Sequence, residues 1–149
     1  MVKIAIWLLT TVLCGVFYRL GGVGKPFNTR YRDIGCSLIT LILWWVLVGF
    51  QISLWWVYLI VFGLIWGALS TYWDWLFGYD NFWFSGFMIG LAMFPLMWGD
   101  VSWYAILIRS IVLSISIGLW SKFIDKDWLE EFGRGALITL TLPLLFIGV

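Results

Sequence analysis

Apolar residues in this chain come in long unbroken runs, not at the alternate positions of a half-buried strand or the i, i+3, i+4 positions of a surface helix. Short polar breaks separate the runs, so run length is the informative quantity. A helix needs on the order of 20 apolar residues to cross the hydrocarbon core, and about 17 still suffice. By that ruler the sequence predicts six spans, over residues 4–18, 34–50, 53–70, 82–98, 102–120 and 135–149. The first and last are short, and five spans with an embedded C-terminal tail is the alternative. The expected fold is an all-α integral membrane protein, a single domain over residues 1–149 built as a compact bundle of six transmembrane helices with short loops. Residues 4–18 are expected to be a retained span and not a cleaved signal, because Leu13 is too large for the residue before a cleaved bond at Cys14.

Small residues and prolines inside the runs say how the helices meet. Gly63 and Gly67, and again Gly86 and Gly90, lie on one helix face, which lets backbones approach where lipid supplies no hydrophobic drive. They predict seams, either between helices of one chain or between copies in a homo-oligomer. Pro95 is expected to kink the fourth span and Pro143 the sixth, since each removes a backbone donor. Asp80 or Asn81 suits the N-cap of the fourth span. Between the fifth and sixth runs, Asp127-Trp-Leu-Glu130 reads as a capping box and Gly133 as a stop, which predicts a short amphipathic helix on the membrane surface.

Composition confirms the class and narrows the chemistry. With 63% hydrophobic and 11% charged residues, against about a quarter charged in soluble domains, no water-soluble fold of this length would hide the apolar surface. Many of the 13 Trp sit at run ends, as interfacial anchors do. Arg19, Lys25, Arg30, Arg32, Lys122, Lys126 and Arg134 fall in the first and fifth connections, while Lys3 stands alone on the other side. By the positive-inside rule the first, third and fifth loops are cytoplasmic and both termini lie on the non-cytoplasmic side, in a membrane expected to be a bacterial inner membrane. A net charge of +1 leaves no unmatched basic patch, so nucleic acid is not an expected partner. There is no His, which removes imidazole bases, Ser-His triads and most catalytic zinc sites. Cys14 and Cys36 fit small apolar fillers. No metal and no cofactor is expected.

Arg109 is the most informative residue, because it falls near mid-span, where a guanidinium costs at least ~2.5 kcal/mol and must find partners. At 100° per residue, Ser102, Arg109, Ser110, Ser114 and Ser116 occupy less than half the helix circumference, so that face is expected to look into the bundle or into water. Two readings follow: an anion-attracting cation in a polar cavity, or a structural Arg that bonds serine hydroxyls and carbonyls freed near Pro95.

The first loop adds Arg19, Lys25, Asn28, Arg30, Arg32 and Asp33 around a glycine-rich turn, a mixture suited to a phosphate or lipid head group. It is not a nucleotide loop, since Pro26 follows Lys25 where Ser or Thr is required. Asp74, between two Trp of the third loop, suits an ion pair with a first-loop Arg or a carboxylate ligand. The leading functional expectation is binding or conduction of a small anionic solute at Arg109 and the basic first loop. Catalytic residues cannot be named from these patterns, but a membrane-embedded enzyme acting on a phosphate-bearing lipid head group is one alternative. A non-catalytic assembly or exclusion factor of a bacterium or phage is the other.

Overall fold

The computed structural model describes residues 1–21, 29–48, 76, 82–91 and 101–148. Among these residues every regular element is helical: α1 (Val2–Leu20), α2 (Thr29–Val48), α3 (Phe82–Leu91), α4 (Trp103–Phe123), α5 (Asp127–Leu140) and a 3₁₀ segment, Leu142–Gly148. α1 and α4 are each long and apolar enough to cross a membrane. At 1.5 Å rise per residue, the 21 residues of α4 reach about 31 Å. Their outward faces carry exposed Ile4, Leu8, Leu9 and Val12 on α1 and Leu107, Ile108, Ile111 and Ile115 on α4. Both helices match the predicted spans to within a few residues.

Elsewhere the boundaries differ for identifiable reasons. α2 begins at Thr29 and not at residue 34, so the backbone of Arg30, Arg32 and Asp33 belongs to helix and not to a loop. α3 covers the first ten residues of the predicted fourth span, and the remainder of that span, Pro95 included, lies outside the described residues. So do the predicted third span with Gly63 and Gly67, and Asp80 and Asn81.

The C-terminal part departs most from expectation. Residues 135–149 do not form one α-helical span. Instead α5 starts at Asp127, runs unbroken through Gly133, and stops at Leu140. Gly133 is a packing residue here and not a stop: a Cβ at that position would meet the indole of Trp120. The expected capping box is also absent. Lys126 is the N-cap, its carbonyl accepts the Leu129 and Glu130 amides at 3.0 and 2.8 Å, and Glu130 instead pairs with Arg134 four residues on. The chain leaves the α-helix just before Pro143, whose nitrogen has no hydrogen to continue the i→i−4 ladder.

Contacts along the helices fix their directions. Trp7 lies beside Thr139 and Arg19 beside Glu131, so α1 and α5 are antiparallel. Arg109 lies beside Ile138 and Trp120 beside Leu129, so α4 and α5 are antiparallel as well. Lys3 donates to the Leu47 carbonyl at 2.6 Å while Gly35 sits by Phe17, so α2 runs against α1. Gly90 meets Ser110 and Gly118 meets Trp83, so α3 runs against α4. α2 and α3 therefore point the same way.

Glycine makes the two most extensive contacts possible. A Cβ added at Gly86 would meet the Ser114 Cα at 3.0 Å and the Leu113 carbonyl at 3.1 Å, and one at Gly90 would meet Ser110, so this pair forms a seam between α3 and α4 within the chain. Between α1 and α5, a Cβ added at Gly15 would fall 2.6 Å from the Phe132 ring, and one at Gly135 would run into the Cys14 carbonyl. Cys14 and Cys36 are buried, with the Cys36 thiol donating to the Cys14 carbonyl at 3.7 Å, the small apolar role expected of them. A ring can turn aside but a backbone carbonyl cannot. Gly135→Ala is therefore expected to lower stability by about 1–3 kcal/mol, the usual range for overpacking, and Gly15→Ala by clearly less. Thermal unfolding of both variants in detergent checks this; equal losses would contradict it.

Candidate functional site

The site forms where α5 ends. In an α-helix the carbonyl of Thr139 would accept from the amide of residue 143, but that residue is proline. An unpaired carbonyl in an apolar interior costs on the order of 1–3 kcal/mol, so side chains from neighbouring helices are drawn to it. Trp7 of α1 donates its indole Nε1–H to the Thr139 carbonyl at 2.7 Å. Arg109 of α4 donates from Nη2 to the Ile138 carbonyl at 2.5 Å. Thr141 turns its hydroxyl back to the Leu137 carbonyl at 2.9 Å and the Ile138 carbonyl at 3.3 Å. The Thr139 hydroxyl donates to that of Thr11 at 3.0 Å, which ties α1 to the same turn.

Arg109 is 0% exposed. Its apolar neighbours one turn away on α4, Ala105, Ile106 and Leu113, are fully buried, as are Leu142 and Leu145 of the 3₁₀ segment that α4 packs on. The position at a helix C-terminus is favourable to a cation, because the last carbonyls carry a partial negative charge. Yet one carbonyl does not satisfy a guanidinium with five N–H groups. Nε and Nη1 of Arg109 are buried and have no hydrogen-bond partner among the described residues.

The serines expected to share this face do not turn to Arg109. Ser110 is buried but its hydroxyl donates to the Ile106 carbonyl of its own helix at 2.7 Å, under Gly90. Ser114 donates to the Trp83 carbonyl of α3 at 2.5 Å. The predicted polar face is thus divided between two neighbours, Arg109 toward α5 and the two serines toward α3. The carbonyl that Arg109 binds is released near Pro143, where the sequence had pointed to Pro95 or to serine hydroxyls.

Arg19 and Arg32, the basic residues of this stretch whose side chains are described, lie apart from Arg109, toward the start of α5. Arg19 Nη1 pairs with Glu131 Oε2 at 2.9 Å, and the Arg32 guanidinium lies over the Tyr18 ring at 4.2 Å. Glu131 precedes Ile138 by seven positions on α5, which is a rise of about 10 Å. Arg109 and this group therefore do not build one pocket. Lys25, Asn28 and Asp74 lie outside the described residues, as do the side chains of Arg30 and Asp33. Among the described residues no cluster of three or more His, Cys, Asp or Glu is placed to hold a metal ion.

Sequence reasoning missed Trp7 and Thr139. The signal for Thr139 is its position four residues before Pro143; nothing in the sequence singles out Trp7 from the other tryptophans. Comparison with protein-family profiles, curated proteins and solved structures finds no match to this chain.

Two outcomes are expected. Trp7→Phe leaves the Thr139 carbonyl with only the Thr141 amide, which it shares with the Leu137 carbonyl, and should cost about 1 kcal/mol. Pro143→Ala restores a backbone donor, so Trp7→Phe should cost less in that background, and a double-mutant cycle by thermal or denaturant unfolding should show non-additivity. Strict additivity would mean that the indole does not replace the proline's missing donor. By contrast, the half-exposed Arg19–Glu131 pair contributes little. Glu131→Gln should lower stability by about 1 kcal/mol or less, and the difference should shrink further at high salt.

Proposed function

We propose that this chain is a small multi-pass membrane protein that binds or conducts a small anion at the Arg109 guanidinium. The observation that carries the reading is a single one: a permanently charged side chain, fully buried, with Nε and Nη1 unpartnered among the described residues. Intramembrane charges are rare and mark ligand or ion pathways more often than they serve packing. A small anion on the unpartnered N–H groups would neutralise the charge in place and remove the desolvation penalty that otherwise persists. We place six passes in a bacterial inner membrane, with the first, third and fifth loops inside. The antiparallel order of the helices and the Lys/Arg bias of the connections support that arrangement.

A second reading has its own support. Arg109 holds the broken end of α5 to α4, and the serines beside it are engaged in helix packing. Serines engaged in helix packing and an Arg that ties two helices together fit a non-catalytic assembly factor. The two readings differ in one measurement. An anion that binds only the folded protein should raise its stability, by about 2.7 kcal/mol at 100 times Kd, or roughly 5–10 °C in Tm for a chain of this size. The shift should vanish in Arg109→Gln. A wild-type melting temperature indifferent to every anion tried would leave the structural role of Arg109 standing alone.

A further inference from the structure

We infer that the Arg109 site takes weakly hydrated monovalent anions, of the nitrate or thiocyanate kind, and discriminates against phosphate and sulfate. The inference rests on the anion reading above and names the class of anion that the surroundings of Arg109 admit.

Three features of those surroundings select by charge. The first is that the site offers one cation. The facing stretch of α1, residues 4–18, carries no charged residue, Lys3 one turn before Trp7 is exposed and turned to the Leu47 carbonyl, and the 3₁₀ segment carries no charge. On α4 the nearest charged residue is Lys122, more than three turns away, and on α5 Arg134 already pairs with Glu130. A monovalent anion is neutralised by one guanidinium; a dianion would leave a net negative charge in an apolar interior.

The second is dehydration. An ion reaching Arg109 must shed its water, since Ala105, Ile106, Leu113, Ile138, Leu142 and Leu145 are all fully buried. The charging penalty in such a medium rises with the square of the charge, so a dianion of similar radius pays about four times that of a monoanion. Strongly hydrated anions lose most on entry.

The third is the count of donors. Phosphate and sulfate sites replace lost water with many N–H and O–H groups. Here the hydroxyls within a turn of Arg109 are committed elsewhere: Ser110 to Ile106, Thr139 to Thr11, and Thr141 to Leu137. The unpartnered donors are those of Arg109 Nε and Nη1. The nearby Ile138 and Thr139 carbonyls add a negative partial charge that an anion of low charge density tolerates best.

The test is calorimetric titration of the full chain in detergent, at fixed ionic strength, with nitrate, thiocyanate, chloride, sulfate and phosphate added in turn. Saturable binding is expected for nitrate and thiocyanate at least tenfold tighter than for sulfate or phosphate, about 1.4 kcal/mol, with chloride between them. Binding should be lost in Arg109→Gln. It should be weakened in Arg109→Lys, whose compact ammonium is more strongly hydrated. Sulfate or phosphate binding as tightly as nitrate would overturn the selectivity while leaving an anion site at Arg109. Failure of all five anions to bind the wild-type chain would instead remove the anion reading and this inference with it. Binding unchanged in a folded Arg109→Gln would place the site elsewhere and overturn both. The order of affinities is read on the wild-type chain, so the selectivity stays testable even where Arg109→Gln does not fold.

Discussion

The structure depends on how a helix is allowed to end inside apolar surroundings. Backbone carbonyls released at a helix terminus need donors, and in an interior without water those donors must come from the protein. Pro143 sets the problem by withholding the amide that Thr139 would use. Trp7 answers it from α1, while Arg109 from α4 and the Thr141 hydroxyl take the neighbouring Ile138 and Leu137 carbonyls of the same helix end. The end of α5 is therefore the point at which α1, α4 and α5 are joined. A helix that ran straight to the chain's end would satisfy its own backbone and would give neither the indole nor the guanidinium a reason to be there.

Close approach makes that junction geometrically possible. The seams between α1 and α5 and between α3 and α4 are lined by glycines whose missing side chains are replaced by a neighbour's ring, carbonyl or Cα. Only with the backbones this near can an indole on α1 span to a carbonyl on α5. The serines of α4 belong to the same logic. Their hydroxyls are small enough to lie beneath Gly86 and Gly90, and donate to carbonyls of α4 itself or of α3. What looked like a hydrophilic stripe is in part a stripe of small residues.

The charged groups fall into two populations with different physics. At one end Arg19, Glu131, Glu130 and Arg134 pair at a partly exposed surface, where screening makes each pair worth little. Arg109 stands alone a third of the way along α4, where screening is absent and one carbonyl is an incomplete answer to a full charge. That imbalance is the observation on which the proposed anion site rests. A purely structural donor at this point needs no charge, as Trp7 demonstrates on the adjacent carbonyl.

The sequence by itself determined the all-helical class, the two long apolar helices α1 and α4 and the singular place of Arg109. Each of these follows from quantities that depend on local composition alone: the length of an apolar run, and the cost of a guanidinium within one. It also marked Gly86 and Gly90 as a seam, because two glycines four apart share a face wherever the helix lies. The partner of Arg109, the course of α5 through Gly133, the start of α2 at Thr29 and the role of Trp7 were decided by tertiary structure. A glycine reads the same whether it ends a helix or accommodates an indole, and Gly133 became the second only because Trp120 packs there. In the same way, a freed carbonyl has a position in the sequence, but its donor comes from whichever helix lies beside it. The residues that fill that need, 29 and 132 positions away, are joined to it by packing alone.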